Sequence, residues 1–129
     1  MSFLKKILST ENSEKTGNSV PWKPLNELDQ LNQITEESVD KPVAIFKHST
    51  RCGISRMALS RFEKNFDYKP EQLSFYFLDL LAHRDLSNEI AVRFKVYHES
   101  PQLIVVKNEE AVFHASHSDI DVKDLQRFV

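Results

Sequence analysis

The chain has 129 residues, 40% of them apolar, a formal charge of −2 and one cysteine. That length and apolar content suit a single compact domain with its own core, and the near-balanced charge excludes a protein whose main partner is nucleic acid. A lone cysteine excludes a secreted module stapled by internal disulfides, so a reducing, cytoplasmic setting and a monomer are expected.

At the N-terminus, Phe3-Leu4-Lys5-Lys6-Ile7-Leu8 offers only two apolar residues after its lysines before polar Ser9, too few for a signal sequence. No later run reaches the ~20 apolar residues that cross a bilayer. Residues 9–20 have almost nothing to bury, which predicts a weakly ordered leader over 1–20 and a folded domain over 21–129. From Pro24 to Ser38, Leu25, Leu28, Leu31 and Ile34 recur at helical spacing, and Asp40-Lys41-Pro42 ends that helix. Val43-Ala44-Ile45-Phe46 is an apolar run without alternation, as in a central strand buried on both faces.

After His48-Ser49-Thr50-Arg51-Cys52-Gly53, the residues Ile54, Met57, Ala58, Phe62 and Phe66 return to helical spacing. Leu73–Leu81 reads as a second buried strand, and Asp85 or Ser87 is expected to cap a helix carrying Leu86, Ile90, Ala91 and Phe94. Ser100-Pro101 then opens a strand over Gln102–Val106; a turn at 107–110 and a strand over Ala111–Ala115 complete a hairpin. Ile120, Val122, Leu125 and Phe128 predict a closing helix capped by Ser118 or Asp119. This order describes an α/β fold, a mixed sheet of about four strands covered by helices on both faces.

Cys52 falls at a strand-to-helix junction. A thiol reacts as its thiolate, which a helix N-terminus and nearby cations favour; Lys47, His48, Arg51 and Arg56 are close in sequence. Its polar flanks argue for a reactive thiol over a buried structural one. Ser55 stands three residues on, where a dithiol oxidoreductase carries a second cysteine. A hydroxyl can donate a hydrogen bond to a thiolate but cannot resolve a mixed disulfide, so any exchange is monothiol. Pro101 opens a strand, where a sheet tolerates proline, and an X–Pro bond is the kind that is readily cis.

Phe46-Lys47-His48-Ser49-Thr50-Arg51-Cys52-Gly53-Ile54-Ser55, His98-Glu99-Ser100-Pro101-Gln102 and Ala115-Ser116-His117 together resemble the YtxJ family of monothiol bacilliredoxins, within the thioredoxin-like superfamily. The resemblance implies a thiol–disulfide oxidoreductase that takes bacillithiol from protein mixed disulfides. It implies Cys52 as nucleophile, Ser55 in place of a resolving cysteine, and Pro101 as a cis-proline shaping a substrate groove. Arg51, Gly53, Ile54 and Ser100 are the neighbouring candidates for substrate contact, and His48 and Arg56 for tuning the thiolate. The family is often written Cys-Pro-Ile-Ser, whereas Gly53 follows the cysteine here. Bacillithiol is the implied co-substrate and bacillithiolated proteins the implied partners, with no bound cofactor. No metal is expected, since Cys52 and the histidines lack close ligand spacing, and His117 is expected to be structural. Two other readings remain open: a glutaredoxin-linked arsenate reductase, suggested by Cys52-Gly53-Ile54-Ser55-Arg56, and a non-catalytic adaptor on the same fold.

Overall fold

A computed structural model describes residues 19–129; the hexapeptide at 3–8 and most of the expected leader lie outside the described residues. The strands are β1 (Trp22–Pro24), β2 (Val43–His48), β3 (Ser74–Asp79), β4 (Gln102–Lys107) and β5 (Glu110–Ser116). The α-helices are α1 (Asp29–Asp40), α2 (Gly53–Lys64) and α3 (Arg84–Phe94), and two 3₁₀ segments, His117–Asp119 and Val122–Phe128, follow β5.

The strands form one sheet in the order β1-β3-β2-β4-β5. β1, β3 and β2 run parallel to one another; β4 is antiparallel to β2 and to β5. β2 is buried along its whole length, which explains its run of apolar residues. Alternate residues of the strands feed two cores. Val43, Ile45, Tyr76, Leu78, Ile104 and Val106 pack with Leu31 and Ile34 of α1 and Leu86 and Ile90 of α3. Ala44, Phe46, Phe75, Leu103 and Val105 pack on the opposite face with Ala58 and Phe62 of α2 and Val122 and Leu125 near the C-terminus.

The structure departs from the expected elements in four places. The sheet has five strands because Trp22–Pro24 pairs with β3, and the helix expected from Pro24 begins at Asp29. Leu25 still follows the strand, its N–H donating to Phe77 O at 2.8 Å. An edge strand tolerates Pro24, which has no N–H to offer a ladder. Neither Asp85 nor Ser87 caps α3: both lie inside the helix, whose N-cap is His83. The closing helix is 3₁₀ and is capped by Asp121, which accepts from Lys123 N–H at 3.0 Å, in place of Ser118 or Asp119. On α2, the side turned to the core carries Ser55, Ala58 and Phe62, while Ile54 and Met57 are 54% and 70% exposed and so cannot be core residues.

The hairpin is as expected. Asn108 and Glu109 have φ of 53° and 72°, the left-handed pair that a two-residue type I′ turn requires. The end of α1 braces this turn: Ser38 O accepts Asn108 N–H at 2.8 Å and Ser38 Oγ accepts Glu109 N–H at 2.9 Å.

Candidate active site

β2 ends at His48, and the loop that follows delivers Cys52 as the N-cap of α2, in extended backbone with φ −105° and ψ 121°. Cys52 is a free, half-buried thiol. Its N–H donates to Ser49 O at 3.2 Å, and its carbonyl accepts Arg56 N–H at 3.1 Å, the first intrahelical bond of α2. Cys52 thus stands at the end of α2 where the first N–H groups have no intrahelical acceptor.

Arg51 is exposed. Arg56 folds back over the loop, its guanidinium donating to Thr50 O at 3.3 Å. Lys47, adjacent in sequence, belongs to the other side of the sheet: it alternates with Ile45 and Val43, is fully buried, and donates to Ser87 O of α3 at 3.2 Å. Its Nζ also lies 3.4 Å from His98 Nδ1, which is 3.1 Å from Ser87 Oγ. Burial pushes the Lys47 pKa down to about 8. His98 is held below its ordinary value by burial first, then by Lys47 and Arg84, against a weaker pull from Glu99.

Ser55 is fully buried, and its hydroxyl is engaged by Ser49 and His48. Ser55 Oγ accepts Ser49 N–H at 3.0 Å and lies 2.8 Å from His48 Nδ1. His48 is itself buried against Phe77, with ring centroids 5.4 Å apart. Its pKa is lowered by burial first; Asp79 pulls it up, Arg56 pushes it down and Glu63 pulls it up.

The Ser100–Pro101 peptide bond is cis and Pro101 is buried. Lys47 pairs with Gln102, so one step further along the two strands brings Pro101 opposite His48, the residue from which the Cys52 loop departs. Pro101 O accepts His117 N–H at 3.0 Å, which ties the turn after β5 to the same place. His117 is exposed, in left-handed backbone with φ 56°. With Ser118 it forms one wall of a groove of about 200 Å³ whose other wall is Ile54, Met57, Ala58 and Arg61 of α2. Arg61 ties the two walls together by donating to Ser118 O at 3.2 Å and Ile120 O at 3.0 Å.

The sequence candidates Cys52, Ser55, His48, Arg51, Gly53, Ile54 and Arg56 thus gather on one loop and helix start, with Ser100 and Pro101 alongside. The sequence did not reveal the burial of Lys47 or the groove wall at His117. The first could have been found by extending the strand one residue past Phe46, where Lys47 falls on the same face as Val43 and Ile45; the second depends on how the chain turns after β5. Among the described residues no cluster of three metal-ligating side chains occurs.

The family described as monothiol bacilliredoxin BrxC matches residues 23–125 of this chain. Among solved structures, one described as an oxidoreductase candidate with a thioredoxin fold is 39% identical, with a TM-score of 0.70 over 82% of this chain and 91% of that one. Thioredoxin from Malassezia sympodialis is 25% identical, with a TM-score of 0.62 over 81% of this chain and 84% of that one. Thioredoxin O2 from Arabidopsis thaliana is 19% identical, with a TM-score of 0.61 over 84% and 90%, a likeness of fold alone. With the fold, the single thiol at a helix start and a family match spanning both, the chain belongs to the monothiol bacilliredoxin family of thioredoxin-fold thiol–disulfide oxidoreductases.

Proposed function

We propose that Cys52 is the exchanging thiol and that it removes bacillithiol from client proteins. The Cys52 thiolate attacks the bacillithiol sulfur of a client's mixed disulfide. The client–bacillithiol S–S bond breaks, a Cys52–bacillithiol disulfide forms, and the client thiolate leaves and takes a proton from water. A free thiol from outside the chain then attacks the bacillithiol sulfur of the adduct as its thiolate; a disulfide forms between that thiol and bacillithiol, the Cys52–bacillithiol S–S bond breaks, and Cys52 leaves as its thiolate. Both steps are disulfide exchange without net oxidation, so no prosthetic group is required and bacillithiol serves as co-substrate.

The observation that carries this reading is the place of the only cysteine: half-buried at the N-terminus of a twelve-residue helix, with a buried hydroxyl and no thiol three residues on. Arg51, Gly53 and Ile54 on the loop side, and Ser100 and Pro101 across from them, are proposed to contact the mixed disulfide; Arg56 is proposed to tune the thiolate. The cytoplasm, where thiols stay reduced, is the proposed compartment.

The test is a de-thiolation assay on a client protein carrying bacillithiol, run beside a glutathionylated client and arsenate. The expected result is release of client thiol with wild-type protein and none with Cys52→Ala. Arsenate reduction would favour the arsenate reductase reading, and inactivity of wild-type protein on all three substrates would favour an adaptor.

A further inference from the structure

We propose that His48 and Ser55 act as one positioning unit that fixes the loop carrying Cys52, an inference that rests on Cys52 being the exchanging thiol. A serine hydroxyl has one hydrogen and two lone pairs. In Ser55 one lone pair accepts Ser49 N–H at 3.0 Å, and His48 Nδ1 lies 2.8 Å away. Burial lowers the His48 pKa, outweighing the attraction of Asp79 and Glu63 and assisted by repulsion from Arg56, and so favours the neutral ring. A neutral ring carrying its proton on Nε2 leaves Nδ1 to accept the Ser55 hydrogen.

One hydroxyl therefore joins three points of the chain: the last residue of β2, the first residue of the loop and the first turn of α2. The ring is held from behind by Phe77 and by Phe46, with centroids at 5.4 and 6.5 Å. A rigid path thus runs from the aromatic core to the loop. Between the fixed points, Cys52 N–H bonds Ser49 O and Arg56 holds Thr50 O, so the loop has little freedom left once Ser49 is pinned. Because Ser55 is occupied in this way, its contribution is to aim the sulfur and not to bond it.

Aim matters more for one reaction of the thiol than for another. Disulfide exchange needs attacking, central and leaving sulfurs in line, so a displaced loop slows it steeply. Alkylation by a small, freely tumbling reagent tolerates the same displacement. The ratio of exchange rate to alkylation rate separates positioning from a change in thiolate content, which moves both rates together.

The experiment measures, on the full chain, Cys52 exchange with cystine and with bacillithiol disulfide, and alkylation by iodoacetamide. It compares wild type, Ser55→Ala, His48→Phe and His48→Asn, each checked for folding by near-ultraviolet circular dichroism. Ser55→Ala and His48→Phe are expected to slow exchange by about 10- to 100-fold, with alkylation changed by less than about twofold. His48→Asn, whose amide oxygen can stand where Nδ1 does, is expected to recover exchange to within about threefold of wild type. The proposal is overturned if Ser55→Ala exchanges like wild type, if exchange and alkylation fall together, or if His48→Asn is as slow as His48→Phe. Should His48→Phe not fold, the Ser55→Ala ratio decides alone. The expected pattern with cystine, joined to inertness toward bacillithiol disulfide, would keep the positioning unit and reject bacillithiol as the co-substrate.

Discussion

Gly53, at the first position of α2, is not there for its conformational freedom. Its φ is not positive, and an added Cβ would meet only Arg56 Nη2, at an ordinary 3.8 Å. Cys52 before it already has the extended backbone that a following proline demands, and the first helical N–H has no intrahelical partner to lose. Gly53→Pro is therefore expected to stabilise the protein by about 0.5–1 kcal/mol through the unfolded chain, read as a raised urea midpoint. Lys47 makes a second prediction at this scale. Its folded pKa of about 8 lies below the 10.5 of a free lysine. Between those values the unfolded chain binds more protons, so stability rises with pH across the window, and the cost of burying the charge is fullest below it. The wild-type urea midpoint is expected to gain on that of Lys47→Met as less cost remains, from about pH 7.5 to about pH 9.5; a constant difference between the two would contradict it. Residue identity and spacing made Cys52, Ser55 and Pro101 legible in the sequence. The bond from Ser55 to His48 was not, because it depends on how the loop folds back, and the sequence alone left Ser55 free to face the sulfur.

Among the elements, β1 shows how much can hang on three residues. Trp22 packs against Phe46, Phe62, Phe75 and Phe77 with centroids 5.6 to 6.0 Å apart, and its Nε1–H donates to Glu63 Oε2 at 2.8 Å. It thereby couples the sheet to α2, the helix that presents Cys52. Trp22→Ala is expected to cost about 2–4 kcal/mol, the indole being only partly buried, as read by urea denaturation followed by far-ultraviolet circular dichroism; a loss below about 1 kcal/mol would contradict the coupling. The long elements were legible from periodicity, and the hairpin from its turn residues. β1 was hidden because three residues ending in proline carry no strand period. The orientation of α2 was misread because Ile54 and Met57 keep helical spacing with the core residues; a polar Ser55 turned inward and two apolar side chains turned outward reverse the usual rule, and both reversals lie beside the thiol.

At the scale of the molecule, the sheet order brings three loops to one edge: the β2–α2 loop with Cys52, the turn into β4 with Pro101, and the turn after β5 with His117, the last two joined by the bond from His117 N–H to Pro101 O. The element order in the sequence was enough to expect an α/β sheet with helices on both faces, since alternating strands and helices followed by a hairpin admit few other arrangements. It could not give the groove between α2 and the turn after β5, which exists only once the chain has closed. The protein as a whole offers one thiol and nothing inside the chain to displace what that thiol acquires. The most direct test is intact mass of the wild-type protein after incubation with a bacillithiolated client and no free thiol. The expected result is one bacillithiol per chain, persistent, mapped to Cys52 and absent from Cys52→Ala; client released without any adduct on Cys52, or an adduct on no chain at all, would contradict monothiol exchange at this residue.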